Sequence, residues 1–131
     1  MRIMIDTNVL ISAFVFRSGQ MDLLIQRITE NHKLVISSFV LDELTEVVKR
    51  KFRNKQEALD EFLAALPYEL VYTPVNMEES LFIIRDKKDY PVLYSAIIED
   101  VDIFITGDRD FENLDIESPQ IMTASGFLEK Y

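Results

Sequence analysis

The stretch RIMIDTNVLISAF, at residues 2–14, decides the fold class of this chain. Residues 3–5 are apolar and run directly into the acidic Asp6, which is typical of a short buried strand that ends at a polar loop. The apolar residues that follow, over residues 8–16, predict a helix, with Gly19 as the break after it. A buried strand that leads directly into a helix is the first half of a β-α-β unit and indicates an α/β protein.

The rest of the chain repeats this alternation of apolar runs and amphipathic segments. Strands joined by helices form right-handed crossovers in a parallel sheet that has helices on both faces. We therefore expect one domain over residues 1–131, a three-layer α/β/α sandwich with a central, mainly parallel sheet. The predicted strands cover residues 3–5, 34–36, 68–72, 101–105 and 120–122. The remaining predicted helices cover residues 21–31, 39–50, 56–66, 91–99 and a short segment from Thr123, and residues 77–84 are a candidate short helix.

The composition excludes several kinds of site. The 131 residues are 48% hydrophobic and 28% charged, the balance of a globular protein that needs no disulfide or metal to fold. The absence of cysteine excludes a disulfide framework, a thiolate zinc site and a cysteine nucleophile. His32 is the only histidine, and its place at a helix end is typical of a surface residue, so one chain cannot form a two-histidine metal site. A metal held by several side chains would be held mostly by oxygens, which favours Mg²⁺ or Mn²⁺.

The sequence gives no indication of a secreted or membrane protein. No small-residue cleavage site follows the apolar N-terminus, and no uninterrupted apolar run approaches the ~20 residues of a membrane span. We therefore expect a cytoplasmic protein. The net charge of −9 argues at first against a nucleic-acid substrate, because neutralising phosphates takes a basic surface.

Acidic residues follow two of the predicted strands. Asp6 follows the first strand, and Asp108 and Asp110 follow the strand at residues 101–105, where Gly107 allows a sharp turn. In open α/β sheets, ligands bind beyond the carboxyl ends of the strands. We therefore expect these three carboxylates to face one site.

Two further acids begin helices that should start at the same edge of the sheet. Glu43 lies just past the first turn of the helix at residues 39–50. On a helical wheel it lies at the margin of the apolar stripe, whereas Asp42 points nearly opposite that stripe. Asp89 lies at the start of the helix that follows Pro91. Glu43 and Asp89 are therefore the better candidates to join the site.

Five carboxylates that converge in one cleft repel one another and cannot all remain ionised. One or two divalent cations remove that repulsion, activate a water molecule and stabilise the charge that develops on a phosphoryl group. The predicted reaction is therefore metal-dependent phosphodiester hydrolysis. Taken singly, each acid also fits a structural role as a helix cap, a helix-dipole partner or a turn former. Their shared location favours the site, which comprises Asp6, Glu43, Asp89, Asp108 and Asp110.

Basic residues cluster at residues 49–55. This run fits either a solvated helix end with a favourable dipole or a ridge that binds a nucleic-acid backbone beside the acidic pocket. Because five of the 23 acidic residues belong to the predicted pocket, the net charge does not exclude a nucleic-acid substrate. The candidate backbone contacts are Lys49, Arg50, Lys51, Arg53 and Arg109, with Lys55, Arg17, Arg85, Lys87 and Lys88 as further candidates.

These motifs resemble those of PIN domains, and they occur in the same order. IDTNVLISA at residues 5–13 and ITGDRDF at residues 105–111 resemble the family's opening and closing motifs. SSFVLDEL at residues 37–44 resembles its middle acidic motif, and RDKKD at residues 85–89, followed by an apolar helix, resembles its third. IMTASGFL at residues 121–128 is similar to the family's usual ending, so the resemblance covers essentially the whole chain.

The resemblance implies a Mg²⁺- or Mn²⁺-dependent ribonuclease, with the toxins of VapC-like toxin–antitoxin pairs as the most populous bacterial relatives. It implies that Asp6 and Asp108 bind the metal directly, and that Glu43, Asp89 and Asp110 bind it directly or through water. It also implies a homodimer and inhibition by a cognate antitoxin protein. The polar residues that would orient the ligands are Thr7, Asn8 and Thr106.

The third motif departs from the family pattern. Basic residues stand at positions 87–88, where acidic or small residues are common, so Asp86 competes with Asp89 as the acid of this motif. Asp89 is preferred because it directly precedes the helix.

Two other functions fit parts of the sequence. One is a catalytically inactive PIN-like module that binds RNA or protein, although the complete acidic set argues against it. The other is a haloacid-dehalogenase-like phosphatase with Asp6 as the nucleophile. That chemistry needs an acid where Asn8 stands, and the chain is short for that fold.

Overall fold

Five parallel strands form the centre of the computed structural model, which describes the whole chain, Met1–Tyr131. They lie in the order β3-β2-β1-β4-β5, and every neighbouring pair is parallel. The predicted α/β class with a central parallel sheet is confirmed, and each predicted strand is present. The strands are β1 (Arg2–Ile5), β2 (Lys33–Ser37), β3 (Glu69–Val71), β4 (Ile103–Ile105) and β5 (Gln120–Met122).

Six α-helices connect and flank the strands. Four of them begin at a side-chain cap, because Asp6, Ser18, Ser37 and Thr123 each accept a hydrogen bond from a backbone N–H of the first turn. None of the helices combines the length and the apolar character that crossing a bilayer requires. The helices are α1 (Thr7–Ile11), α2 (Gly19–Asn31), α3 (Ser38–Lys51), α4 (Gln56–Ala65), α5 (Tyr90–Ile98) and α6 (Ala124–Lys130).

The helix predicted over residues 8–16 is present, but its end differs from the prediction. α1 continues as a π-helical turn over Ser12–Phe16. Arg17 then adopts the left-handed backbone conformation, with φ 39° and ψ 48°, and Ser18 caps α2. Gly19 is therefore the first residue of α2, and the break expected there is made by Arg17 instead.

The core forms around the central strands. The residues of β4 and residues 3–5 of β1 are at most 1% exposed, because both strands have neighbours on each side. Five consecutive residues of α5, from Val92 to Ala96, are buried as well, so this helix is covered on all sides. The carboxyl ends of β1 and β4 therefore emerge directly from the core.

Residues 72–86 form an irregular loop, so the short helix considered for residues 77–84 is wrong. Two tyrosine side chains form hydrogen bonds with the backbone of Glu78. Its N–H donates to the Tyr94 hydroxyl at 3.1 Å, and its carbonyl accepts from the Tyr90 hydroxyl. Phe82 stacks on Tyr90 with ring centroids 4.3 Å apart, whereas Ile83 is 92% exposed. The apolar side chains of this segment point in different directions, and no helical face forms.

Candidate active site

The pairing of β1 with β4 brings the first and last acidic motifs together. Ile5 pairs with Ile105, so Asp6 and Thr106 leave the sheet side by side. The backbone N–H of Asp6 donates to the carbonyl of Ile105 at 3.0 Å. Asp108 follows two residues after Thr106. Two motifs that lie 100 residues apart in the sequence therefore meet at one edge of the sheet.

Asp6 is 6% exposed, and both of its carboxylate oxygens accept hydrogen bonds. Oδ1 accepts from the backbone N–H of Thr7 at 2.7 Å, and Oδ2 accepts from the Thr106 hydroxyl at 2.8 Å. Burial raises the pKa of Asp6, these two hydrogen bonds oppose the rise, and the charges of Glu43 and Asp108 add to it. The carboxylate is thus held in one orientation without a cation to balance it.

Thr106 connects Asp6 to the closing motif. Its hydroxyl oxygen, which donates to Asp6, also accepts a hydrogen bond from the backbone N–H of Asp108 at 3.1 Å. The Oδ1 atom of Asp108 in turn accepts from the backbone N–H of Asp110 at 2.9 Å. This chain of hydrogen bonds fixes the turn after β4 and orients the side chains of Asp6 and Asp108 toward the same edge.

Three carboxylates form a cluster beside Asp6. One oxygen from each of Asp89, Asp108 and Asp110 lies within 4.8 Å of the other two. Burial is the largest cause that raises the pKa of Asp89 to about 7, followed by the negative charges of Asp108, Asp86 and Asp6 and a hydrogen bond with Asp108. Near neutral pH, Asp89 therefore carries a proton for about half of the time.

The structure separates the two acids that compete in the third motif. Asp89 lies in the cluster at the start of α5. Asp86 is exposed, and its Oδ1 accepts from the backbone N–H of Lys88 at 3.0 Å, where it caps the short 3-10 turn Lys87–Asp89. Asp89 is therefore placed to bind a ligand of the cluster, whereas Asp86 has a local structural role.

Glu43 reaches the site from α3. It is half-buried, and its Oε1 accepts a hydrogen bond from the Thr7 hydroxyl at 2.7 Å. Since the Thr7 backbone N–H donates to Asp6, this threonine links the first and middle acidic motifs. Asp42, about 100° around α3 from Glu43, is exposed. The contrast between Glu43 and Asp42 agrees with the helical wheel.

Other candidates lie outside this network. Asn8 is exposed and takes no part in the hydrogen bonds among the acids. The basic residues at positions 49–55 lie at the end of α3 and in the turn after it, and none forms an ion pair with a carboxylate. At 1.5 Å per residue, Arg50 lies about 10 Å along the helix from Glu43. Arg109 is exposed between Asp108 and Asp110.

One basic side chain lies within ion-pair distance of the site. The Nε atom of Arg85 is 3.7 Å from Oδ1 of Asp110, and the Arg85 side chain is 89% exposed. Such an exposed pair contributes little free energy. The sequence marked Arg85 only as one of several basic candidates, because residues 25 positions apart on two loops have no spacing signal that links them.

The donor set fits Mg²⁺ or Mn²⁺. All of the candidate ligand atoms are carboxylate oxygens, which these hard cations prefer. Burial and, after it, the neighbouring negative charges raise the pKa of Asp89, and one exposed arginine supplies the only ion pair with the cluster. A divalent cation bound among Asp89, Asp108 and Asp110, with Asp6 beside them, would relieve this repulsion.

Comparisons with known proteins agree with this architecture. A family model described as PIN domain matches residues 2–110, which include all five acids. Among solved structures, the chain is similar to a chain in the crystal structure of VapBC2 from Rickettsia felis bound to a DNA fragment from their promoter. The TM-score is 0.73, with 22% sequence identity over 94% of this chain and 98% of that chain. No curated protein matches the chain in sequence.

Proposed function

The chain belongs to the PIN-domain family, and on that premise we propose that it is a Mg²⁺- or Mn²⁺-dependent ribonuclease that hydrolyses RNA phosphodiester bonds. In this proposal, residues 1–131 form a single nuclease domain that acts in the cytoplasm. The observation that carries the proposal is the cluster of Asp89, Asp108 and Asp110 beside the buried, hydrogen-bonded Asp6. A cluster of uncompensated carboxylates costs stability, so its presence needs a reason other than folding.

The residues of the site divide into those that would bind the metal and those that orient them. Asp6 and Asp108 would bind it directly, since Thr106 holds both in place. Asp89 would lose its proton on binding, because a ligating carboxylate is deprotonated. The remaining ligands, bound directly or through water, would be Glu43 and Asp110.

When bound, the metal supplies an activated water and stabilises the negative charge that develops on the phosphoryl group. The protein's contribution is to orient the ligands. Thr7 holds Glu43, and Thr106 holds Asp6, both through short side-chain hydrogen bonds. These bonds keep the carboxylates together in spite of their mutual repulsion, so the ligands are preorganised for the metal, whose activation of water would remove the need for a histidine base.

The charge of the site supports metal-dependent binding of RNA. A chain with a net charge of −9 repels phosphates until cations neutralise its acidic pocket. Arg109 lies at the pocket itself, and the basic residues at positions 49–55 form a more distant exposed surface for the backbone. We expect modest, salt-sensitive affinity for RNA that requires the metal.

We further propose that the protein is the toxin of a type II toxin–antitoxin pair, a homodimer that a small antitoxin protein inhibits. The similarity to a chain of VapBC2 supports this proposal. The test is co-expression with the product of the neighbouring small reading frame, which should restore growth and co-purify with the protein. Failure of every adjacent frame to do either would remove the toxin assignment. Light scattering of the purified protein would measure the dimer.

The nuclease proposal is tested with a panel of fluorescent single-stranded RNAs. We expect cleavage with Mn²⁺ or Mg²⁺ and none with EDTA. Glu43→Gln should reduce the cleavage rate by about 10–100-fold, as loss of groups around a metal usually does. Asp42→Asn is the control, because Asp42 directly precedes Glu43 on α3 but is exposed and outside the hydrogen bonds among the acids, so it should leave the rate unchanged. Equal activity of both variants would contradict the assignment. RNA binding without cleavage would favour the inactive binding module.

A further inference from the structure

A cavity of about 700 Å³ opens beside the acidic cluster, between β5 and the loop that connects it to β4. Thr106 and Asp108 line both this cavity and the acidic site, so the two are continuous. Its volume falls within the roughly 300–1,000 Å³ of small-ligand sites. Residues 111–123 supply most of its walls, and the proposed reaction uses none of them.

The lining of the cavity combines an apolar floor with an acidic rim. Leu114, Ile116 and Ile121 line it and are half-buried. Glu112 and Glu117 also line it, and both are exposed, so their carboxylates lie toward solvent. The face of a flat ring can therefore pack on the apolar side chains while polar groups at its edge contact the carboxylates of the rim.

The charge of the lining decides which part of an RNA chain fits. No lysine, arginine or histidine is among the 14 lining residues, so a phosphate would meet only negative charge there. Carboxylates accept hydrogen bonds and donate none, so a group that pairs with Glu112 or Glu117 must bring donors, whereas the amides of Asn113 and Gln120 can also meet an acceptor. Guanine has two adjacent donors, N1–H and N2–H₂, on its Watson–Crick edge, and they match the two oxygens of one carboxylate. Uracil has a single donor between two carbonyl oxygens, which a carboxylate repels.

Resting on the proposed ribonuclease activity, we propose that this cavity binds an unstacked guanine base of the nucleotide next to the scissile phosphate. A carboxylate of the rim, Glu112 or Glu117, accepts hydrogen bonds from guanine N1–H and N2–H₂. Proteins recognise single-stranded RNA through splayed bases that are read on this edge. The continuity of the cavity with Asp108 places the base beside the metal site, so it would select where the strand is cut.

The selectivity is measured by cutting a random pool of single-stranded RNA with Mn²⁺ and sequencing the new ends. We expect guanine to be enriched about fivefold at one position beside the cut, the lower end of what one good base contact supplies, because the rim is exposed. The double variant Glu112→Gln, Glu117→Gln should reduce this enrichment to less than about twofold. Replacing guanine by inosine, which lacks the N2 amino group, should slow cleavage by the wild type.

Asp115→Asn is the matched control, because Asp115 is an exposed acid of the same loop that does not line the cavity. It removes one charge and should leave the guanine preference unchanged. Enrichment of another base, no enrichment, or equal loss of preference in the control and in the double variant would overturn the proposal.

A second measurement separates this proposal from the ribonuclease itself. In EDTA, titration with the nucleoside guanosine, which carries no phosphate, should shift the backbone NMR signals of Asn113 and Gln120, and uridine should shift them less. If guanosine binds there and no RNA is cut, the proposed function fails while the cavity assignment stands. If RNA is cut without base preference and guanosine does not bind, the cavity assignment fails while the ribonuclease stands.

Discussion

The two ends of strand β1 carry opposite charges in opposite surroundings. At its start, the Arg2 guanidinium contacts Glu69 and the carbonyl and carboxylate of Glu99, and the Arg2 backbone N–H donates to Asp102 at 2.8 Å. Just past its end, Asp6 lies among other carboxylates. Acids cluster at both ends of β1. Only at its start do they surround a half-buried cation, the Arg2 side chain.

The presence or absence of a protein cation distinguishes acids that stabilise the fold from acids whose charge a further cation would balance. At the start of β1, the negative charges surround a protein cation, and the Glu69 and Glu99 contacts raise the pKa of Arg2. At the other end, the only ion pair is the exposed Arg85 with Asp110, and the pKa of Asp89 rises to about 7. Acidic residues alone therefore do not indicate a metal site, and of these two groups of acids only the one without a protein cation at its centre is a candidate for one.

Strand β4 has the same two surroundings at its ends, since Asp102 precedes it and Asp108 follows it. Asp108→Asn should reduce RNA cleavage by more than about a hundredfold, because loss of residues that only support metal ligands already costs about 10–100-fold. Asp102→Asn should leave cleavage unchanged and lower the free energy of unfolding by about 1 kcal/mol, as it weakens the bond from the Arg2 N–H. Initial rates on one fluorescent RNA and urea melts measure both effects. Similar losses of cleavage in the two variants would show that the acids before and after β4 do not differ in function.

The protonation of Asp89 gives the next largest expected effect. Because its pKa rises from its ordinary value of 3.8 to about 7, the folded chain binds more protons than the unfolded chain between about pH 4 and pH 7. The stability of the metal-free protein should therefore fall as pH rises through this window and level off above it. Metal binding releases the proton, so Mn²⁺ affinity should rise about tenfold from pH 6 to pH 8.

Calorimetric titration with Mn²⁺ at several pH values measures this dependence. Asp89→Asn removes the titrating group, so its weaker Mn²⁺ affinity should vary little across the same range. Asp86→Asn is the control and should keep a pH dependence with its midpoint at a lower pH, because Asp86 is not in the cluster but its charge is one cause that raises the pKa of Asp89. A pH dependence that survives in Asp89→Asn would assign the proton to another group.

Arg85 gives the smallest effect. Arg85→Gln removes the one cation that pairs with the cluster, so Mn²⁺ affinity should rise about twofold, in keeping with the small free energy of an exposed pair. Lys88→Gln removes the same charge from the same loop without an ion pair to the cluster and should have less effect. Calorimetry measures the Mn²⁺ affinity of both variants. Equal increases in affinity would show that the net charge of the loop matters and the ion pair with Asp110 does not.

Local patterns predicted the strands correctly, and they also predicted that acids meet at one edge of the sheet. Each acid follows a strand or begins a helix, and the parallel topology brings those positions to one edge, so Asp6, Asp89 and Asp108 could be placed near one another from the sequence. The wheel position of Glu43 also agrees with its hydrogen bond to Thr7.

Features that depend on tertiary contacts could not be predicted. The pairing of Arg85 with Asp110 and the cavity walled by residues 111–123 depend on how loops fold back, which no periodicity encodes. The same holds for the loop at residues 72–86, where the backbone of Glu78 forms hydrogen bonds with the side chains of Tyr90 and Tyr94. At these positions, tertiary contacts determine the structure and local sequence patterns do not.

We propose that the acids beyond β1 and β4 form a metal site, while those around Arg2 stabilise the fold. Thermal melting with and without Mn²⁺ distinguishes these two roles. Mn²⁺ should raise the melting temperature of the wild type, since a ligand at about 100 times its Kd adds about 2.7 kcal/mol. Asp6→Asn should melt no lower than the wild type without metal, because it removes a buried charge, and it should lose most of the rise. Arg2→Gln should melt at a lower temperature and keep the full rise. A full Mn²⁺-dependent rise in Asp6→Asn, or its loss in Arg2→Gln, would contradict the account.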